Sequence, residues 1–175
     1  MAILNKLILV DEHDVPLGTA EKMEAHEKAL LHRAFSVFIF NQKGEMLLQQ
    51  RAINKYHSGG LWTNACCSHP YFNQETLVAA EKRLQEEMGF TTALTKAFEF
   101  VYKAPFNNGL TEYEYDHVFI GKYDGKILPD KDEVADYCFM SMGEIKNSVQ
   151  SHPHKYTEWF KIAFTKIEEH LALNY

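Results

Sequence analysis

The sequence predicts a mixed α/β (α+β) fold in which helices flank a sandwich built on a mixed β-sheet. Short runs of branched and aromatic residues, each bounded by turn-forming residues, recur along the chain and are typical of strands. Helical patterns are interspersed among them, which indicates packed layers of helix and sheet. The chain has 175 residues, of which 46% are hydrophobic, and this favours a single domain that spans residues 1–175.

The N-terminal part of the chain contains three predicted strands. Leu4–Val10 is an apolar run, and the residues that follow it, Asp11–Gly18, are typical of a turn. Ala34–Phe40 and Met46–Arg51 flank a turn at Asn41–Gly44, so this region has a strand–turn–strand pattern.

The clearest helix pattern covers Asn73–Met88. Gly89 follows directly and is a typical helix stop, because glycine accepts the left-handed conformation at a helix C-terminus. The spacing places four apolar residues on one face, which we expect to point inward: Leu77, Ala80, Leu84 and Met88.

Three more strands are predicted beyond this helix. Ala97–Lys103 and Thr111–Ile120 surround a loop with an Asn-Gly pair, which favours pairing of the two strands. Ala135–Met140 is the last predicted strand.

Two helices complete the chain. Ser141 with Glu144 three residues later is a capping box, which indicates the start of a short helix. A final helix is predicted over about Thr157–Leu173. Its inward face is expected to contain Phe160, Phe164, Ile167 and Leu171.

Composition excludes several classes of function. The 18 basic and 24 acidic residues give a net charge of −6, and the absence of a basic run argues against nucleic-acid binding. The apolar runs are far shorter than the ~18 residues of a membrane span. Only three cysteines are present, too few for a disulfide framework, so we expect a cytoplasmic location.

Glu112 and Glu114 are the first candidates for chemistry. They lie two apart in a predicted strand, so their side chains project from one face. Neighbouring carboxylates repel unless a cation lies between them. The pair is therefore either a solvated strand face or part of a metal site.

Histidines and a cysteine are the next candidates. His26 and His32 are six residues apart, which one uninterrupted helix would place in different directions, so a shared ligand needs one of them in a loop or strand. Cys67 and His69 lie two apart, and an extended backbone would place both on one side. Imidazole and carboxylate groups suit divalent metals. A single histidine, however, is by default an ordinary surface or core residue with no role in metal binding.

Basic residues supply possible phosphate contacts. Arg83 and Glu87 share one helix face, which is either an ordinary surface ion pair or part of a binding site. Arg51 and Lys55 add positive charge near a Gly-Gly turn. Such cations on an acidic background are the minimum needed to hold a diphosphate.

These residues belong to six stretches that match one family in order and spacing: Gly18–His26, His32–Ser36, Gln50–Lys55, Leu61–Pro70, Lys82–Gly89 and Glu112–His117. The chain resembles the type I isopentenyl-diphosphate isomerases, which are members of the Nudix fold superfamily. The resemblance covers roughly Leu4 to Phe160 and implies a Nudix-like fold. Its most specific segment is Trp-Thr-Asn followed by Cys-x-His-Pro, within Leu61–Pro70.

The Nudix hydrolase signature is only half present. When the chain is aligned on Glu86, Glu87 and Gly89, Gln74 stands at the first signature glutamate and Arg83 at a second acidic position. A helix that lacks these metal-binding carboxylates can bind a diphosphate, but it has too few metal ligands to activate water. The departure favours an enzyme that leaves the diphosphate intact.

The resemblance implies the reversible conversion of isopentenyl diphosphate to dimethylallyl diphosphate by an allylic proton shift. It assigns Cys67 and Glu114 as the two proton carriers, with Tyr102 assisting near Glu114. Trp159 corresponds to an indole over the cationic carbon, or else it is a core aromatic of the last helix. The substrate is then a small isoprenoid diphosphate, and the protein is a monomer or a homodimer.

The resemblance also implies two metal ions. One divalent metal, Mn, Zn or Mg, would be held by His26, His32, His69, Glu112 and Glu114. A second ion, Mg²⁺, would join Glu87, the Cys67 carbonyl and the diphosphate. Phosphate contacts would come from Lys22, Arg51, Lys55 and Arg83. The alternatives are a Nudix-type pyrophosphohydrolase, a non-catalytic diphosphate-binding module and a structural metal protein.

Overall fold

The strands and helices have clear bounds in the computed structural model, which describes residues 6–174. The strands are β1 Leu7–Val10, β2 Pro16–Ala20, β3 His32–Phe40, β4 Met46–Arg51, β5 Trp62–Asn64, β6 Cys66–Ser68, β7 Leu94–Pro105, β8 Thr111–Lys122 and β9 Val134–Met140. The helices are α1 Lys22–Glu27, α2 Thr76–Met88, α3 Met142–Ser151 and α4 Glu158–Asn174, and a short 3₁₀ turn covers Pro153–Lys155. None of the helices in this described part is long and apolar enough to cross a membrane.

The strand β3 organises the mixed sheet. It pairs in parallel with β8 along its whole length, and antiparallel with β6 on the other side. The strand β7 pairs antiparallel with β8, as the Asn-Gly loop predicted, and β9 pairs with β4. The mixed sheet predicted from the sequence is therefore confirmed.

Alternate residues of β3 face two separate cores. Phe35, Val37 and Ile39 are buried in a cluster with the apolar face of α2. Phe38 and Phe40 belong to the second cluster, which packs on α4. Because side chains alternate along a strand, the sheet lies between these two helices. The sandwich flanked by helices that the sequence predicted is the observed architecture.

The N-terminal segment differs from the prediction. Residues 16–20 form the strand β2, whereas a turn was expected over Asp11–Gly18. This strand is mostly exposed and is held by its antiparallel pairing with β1, so it has no apolar periodicity to reveal it. The predicted strand Leu4–Val10 is observed from Leu7, and residues 4 and 5 lie outside the described residues.

The helix α2 begins later than predicted. Asn73 has a left-handed φ of 64°, and the Gln74 amide donates to the Tyr71 carbonyl, so a turn precedes the helix. Leu77 is 37% exposed, which makes its predicted inward position wrong. The other three residues of the predicted face are buried, and the cap at Gly89 is confirmed.

Both C-terminal helices agree with their sequence signals. The capping box is complete at α3, since Ser141 and Glu144 each accept a hydrogen bond from the other's backbone amide. Phe160, Phe164 and Ile167 of α4 are buried, and Leu171 is half-buried. The face of α4 therefore covers the side of the sheet on which the predicted site residues lie.

Gly89 gives a test of how α2 is anchored. Its φ is +74°, and an added Cβ would lie 2.1 Å from the Leu128 carbonyl oxygen. Gly44 has a similar φ of +75° with nothing within 4 Å of an added Cβ, so it is a matched control. Gly44→Ala is expected to lower the free energy of unfolding by about 1–2 kcal/mol from backbone strain alone.

We expect Gly89→Ala to cost about 1–3 kcal/mol more than this control, because the backbone of Leu128 must also move. Urea unfolding followed by circular dichroism measures both losses. Equal losses for the two variants would show that the close approach at Leu128 does not contribute to stability.

Candidate active site

One cavity gathers nearly all of the residues singled out in the sequence. Strands of the sheet and the helices α2 and α4 all contribute to its walls, which combine charged, polar and aromatic groups. The lining residues that the sequence predicted are Lys22, Arg51, Lys55, Cys67, His69, Arg83, Glu87, Tyr102, Glu112, Glu114 and Trp159. His26 and His32 do not line it but are clustered with His69 and Glu114.

Strand register brings these side chains together from distant parts of the chain. In the parallel pair, His32 of β3 lies opposite Glu114 of β8. On the other edge of β8, Tyr102 of β7 lies opposite the same glutamate. The pairing of β3 with β6 places Ser36 opposite Cys67. Because β3 and β8 are themselves paired, the three pairings fix the positions of the carboxylate, the phenol and the thiol relative to one another.

A cluster of ligand-type atoms is formed by His26, His32, His69 and Glu114. Their ligand atoms all lie within 4.8 Å of one another. The Nδ1 hydrogen of His32 is donated to the Leu30 carbonyl over 2.8 Å, so Nε2 is the ring atom that faces the cluster. That Nε2 lies 3.3 Å from Nε2 of His69, which in turn lies 2.8 Å from Oε1 of Glu114.

His26 is the strongest sign that this cluster fits a cation. Both of its ring nitrogens are buried and have no hydrogen-bond partner among residues 6–174. Burial lowers the pKa of His26 to about 3, and burial also lowers the pKa of His69 to about 4. Both rings are therefore neutral near pH 7, which is the form that binds metals. A buried imidazole without a partner is costly, and a divalent cation at this point would satisfy it.

Glu112 lies beside this cluster but is not one of its four members. The Tyr102 hydroxyl is 2.8 Å from Glu112 and 2.6 Å from Glu114, and its single hydrogen can be donated to only one of them at a time. Burial, together with the nearby charge of Glu114, raises the pKa of Glu112 to about 8. Burial also acts on Glu114, but hydrogen bonds with His32 and His69 hold the pKa of Glu114 well below its usual range.

Four cationic side chains also line the cavity: Lys22, Arg51, Lys55 and Arg83. The Nε atoms of Arg51 and Arg83 are buried and have no partner within the described residues. Glu133 contacts Lys55 directly and lies 3.5 Å from Arg83. Unpaired guanidinium hydrogens beside an ammonium group are well suited to phosphate oxygens.

Cys67 lines the same cavity. Its Sγ donates a hydrogen bond to Asn64 Oδ1 over 3.0 Å and lies 3.6 Å from the Ser36 hydroxyl. Burial and the nearby Asp116 raise the pKa of the Cys67 thiol, so among protein groups alone it is protonated. Its neighbour Cys66 points into the opposite core, as the alternation of an extended segment predicted.

The sequence did not single out His57, which is also in the cavity. Its Nε2 lies 3.5 Å from Glu112, and its ring stacks on Phe106 with centroids 5.0 Å apart. The rings of His57 and Trp159 are perpendicular, and their centroids are 5.7 Å apart. No local pattern marks this residue; the only available signal was its position between Lys55 and the Gly-Gly turn.

Comparison with known proteins defines the class. A family model described as the NUDIX domain matches residues 30–160 of the chain. The solved structure of a Deinococcus radiodurans protein is similar with a TM-score of 0.70 and 14% identity, over 84% of this chain and 90% of that one. The MutT protein of Methanosarcina mazei is similar with a TM-score of 0.65 and 18% identity, over 79% and 94% respectively. The chain is therefore a Nudix-domain protein.

Relatives narrow this class to one family. The chain is 48% identical to isopentenyl-diphosphate Delta-isomerase 2 of Photorhabdus laumondii, over 93% of this chain and 95% of that protein. It is also 48% identical to isopentenyl-diphosphate Delta-isomerase of Pectobacterium atrosepticum, over 95% and 93% respectively. The chain belongs to the isopentenyl-diphosphate Delta-isomerase family.

The histidine cluster gives a test by metal removal. Protein stripped with a chelator should gain thermal stability when Zn²⁺ or Mn²⁺ is returned, because the cation binds ligands that converge only in the folded state. At a hundredfold excess over Kd the expected gain is about 2.7 kcal/mol. Differential scanning fluorimetry measures the accompanying rise in Tm.

His69→Ala should lose most of this rise, whereas His154→Ala should keep it, because His154 is exposed and lies outside the cluster. An equal rise in His69→Ala and in the unaltered protein would contradict metal binding by these residues.

Proposed function

We propose that the chain catalyses the reversible conversion of isopentenyl diphosphate to dimethylallyl diphosphate, with Cys67 and Glu114 as the proton carriers. The observation that carries this proposal is the cavity itself. It combines a thiol, a carboxylate–phenol pair and a cluster of cations. Two relatives at 48% identity that are named for this activity support it.

The chemistry explains why two proton carriers are needed. One proton is added to the terminal alkene carbon C4, which leaves positive charge at the tertiary carbon C3. Another proton is then removed from C2, and its electron pair forms the new double bond between C2 and C3. An unactivated alkene is a poor base, so the acid must be well placed in a site that excludes water.

The residues of the cavity divide this work. Glu114 and Tyr102 share a hydrogen bond and can exchange a proton at one side of the carbon chain. Cys67 gives or takes the other proton, and the two roles exchange when the reaction runs backwards. The indole of Trp159 is a cavity wall whose ring face can stabilise the positive carbon by ~2 kcal/mol once water is excluded.

Metal ions fit two places in this arrangement. His26, His32, His69 and Glu114 would hold one divalent ion, with Glu112 as a further ligand, and the ion would be Mn, Zn or Mg. Its positive charge would orient Glu114 and tune its proton affinity. Glu87, which is buried and receives hydrogen bonds from Gln49 and Arg83, would hold Mg²⁺ together with the Cys67 carbonyl and the diphosphate.

The phosphorus–oxygen bonds of the substrate stay intact in this reaction. Arg83 donates to Glu86 over 2.8 Å and to Glu87 over 2.6 Å, so a guanidinium neutralises the two glutamates that remain from the hydrolase signature. With Gln74 and Arg83 at two acidic positions of the signature, Glu87 can serve a single Mg²⁺ at the diphosphate, but the helix lacks the further carboxylates needed to assemble metals that activate water. The pyrophosphohydrolase alternative is disfavoured for this reason.

The central test follows deuterium into the substrate. The protein, supplied with Mg²⁺ and Mn²⁺, is incubated with isopentenyl diphosphate in D₂O, and the allylic positions are followed by NMR. Cys67→Ala and Glu114→Gln are each expected to lower turnover by about 10²–10⁴-fold, the usual loss for a general acid or base. Cys138→Ala is the control, since this cysteine does not line the cavity.

Turnover in Cys67→Ala at the level of the unaltered protein would remove this mechanism. Release of phosphate or pyrophosphate would support the hydrolase instead. Substrate binding without deuterium exchange would support a non-catalytic binding module.

Lys55 tests the phosphate contacts separately. Its contact with the diphosphate is expected to be equally strong in the ground and transition states, so Lys55→Ala should raise KM by about 10- to 100-fold with little change in kcat. Lys43→Ala, in an exposed turn, is the matched control. A selective loss of kcat in steady-state kinetics would contradict this role of Lys55.

A further inference from the structure

The amide of Asn64 lies next to Cys67, and its orientation is fixed by the backbone. Asn64 is fully buried, and its Nδ2 donates to the Val37 carbonyl over 3.0 Å and to the Cys66 carbonyl over 2.9 Å. Because carbonyls only accept, both amide hydrogens are used there. Its Oδ1 therefore faces the other way, where it accepts the thiol hydrogen of Cys67 over 3.0 Å.

The other neighbour of the thiol does not compete for this orientation. The Ser36 hydroxyl is 3.6 Å from Cys67 Sγ, but it donates its only hydrogen to Asp116 over 2.7 Å. Its contact with the sulfur is longer than that of Asn64, and its 2.7 Å hydrogen bond with Asp116 fixes the position of the hydroxyl. Asn64 is the closer of the two acceptors and sets where the thiol hydrogen points.

The same amide oxygen is connected to Trp159 through Thr63. The Thr63 hydroxyl donates to Asn64 Oδ1 over 3.0 Å and accepts from the Trp159 indole nitrogen over 3.0 Å. It accepts a second hydrogen bond from Thr157 over 3.1 Å, so this hydroxyl is fully used. Thr63, Asn64 and Trp159 are all buried, and a continuous path of hydrogen bonds joins the indole to the thiol.

We propose that Thr63 and Asn64 are positioning residues that hold the Cys67 thiol and the Trp159 indole in one fixed relative geometry. The inference rests on the proposed function, because the two groups they join are a proton carrier and the wall that faces the cationic carbon. Neither residue lines the cavity, so both act only through these neighbours. Misplacement by about 1 Å is enough to slow an enzyme strongly, so their loss should affect the chemical step rather than binding.

Thr63 is the better residue to vary. Replacing Asn64 would leave two buried carbonyls without donors, and such a variant risks failing to fold. Thr63→Val keeps the shape of the side chain and removes only the hydroxyl. Thr157→Val is the control, because it also removes a buried hydroxyl bonded to Thr63 yet leaves the path from indole to thiol intact; this hydroxyl also accepts from the Phe160 amide at the start of α4, so its loss is expected to lower Tm.

Turnover of isopentenyl diphosphate is measured for the variants that fold, together with Tm. Thr63→Val is expected to lower kcat about tenfold with KM unchanged, which corresponds to the loss of one uncharged hydrogen bond. Thr157→Val should keep both constants, and Thr63→Ser should restore most of the lost kcat. A merely structural role would lower Tm in Thr63→Val and Thr157→Val without separating their kcat values.

The infrared S–H stretching band gives a second readout that needs no substrate. The Cys67 band is isolated by subtracting the spectrum of Cys67→Ala. In Thr63→Val the Asn64 Oδ1 atom no longer accepts a hydrogen bond from the Thr63 hydroxyl, so its bond with the thiol changes and the Cys67 band should shift. In Thr157→Val the band should keep its position. Equal loss of kcat in both valine variants, or an unchanged kcat and band in Thr63→Val, would overturn the inference. Full turnover in Cys67→Ala would instead overturn the proposed function on which it rests.

Discussion

The parallel pairing of β3 with β8 is the constraint on which the rest of the site depends. Its register places His32 opposite Glu114, and a shift by one residue would turn each side chain of one strand to the other face. The face that carries these groups continues into Phe38 and the core that packs on α4. Burial of Phe38 therefore stabilises this register, and the register in turn fixes the positions of His32 and Glu114. The stability of this core and the geometry of the site cannot vary independently.

The site also balances charges that would be costly alone. Glu112 and Glu114 are both buried and share one phenol, Tyr102. Two adjacent buried carboxylates are tolerated only if one is protonated or a cation is near. The uncharged histidines around Glu114 donate or coordinate but carry no compensating charge at neutral pH. Positive charge from a divalent ion is thus the natural complement of this pair.

Local signals in the sequence predicted most of the fold. The capping box at Ser141 and the helix stop at Gly89 depend on neighbouring residues only, so both were readable and both are confirmed. Residues 16–20 were not recognised as a strand, since they are held by pairing with β1 rather than by an apolar face. The outward position of Leu77 was missed because Leu77 lies in the first turn of α2, and its burial depends on what packs against that end of the helix and not on its spacing.

The candidate site was readable for a different reason. Besides β3 and the loop after β4, its residues come from four strands and three helices: β4, β6, β7, β8, α1, α2 and α4. No local pattern brings such distant segments together; the resemblance to a family did so. Two residues received no role from the sequence: His57, which lines the cavity, and Asn64, which belongs to the matched Trp-Thr-Asn segment. His57 stands in a loop with no periodicity, and the role of Asn64 depends on carbonyls of β3 and β6 that only the fold brings beside it.

The Nudix fold does not by itself determine the chemistry. At 14% and 18% identity, the solved structures share the arrangement of strands and helices with this chain and little of its sequence. The likeness therefore shows the fold alone, and the chemistry has to be argued from particular residues placed on it. Arg83 on α2 neutralises the glutamates that a hydrolase needs free for metals, while β6 and β8 supply Cys67 and Glu114. In the proposed mechanism, the groups that add and remove protons come from these two strands and not from the helix that carries the remainder of the hydrolase signature.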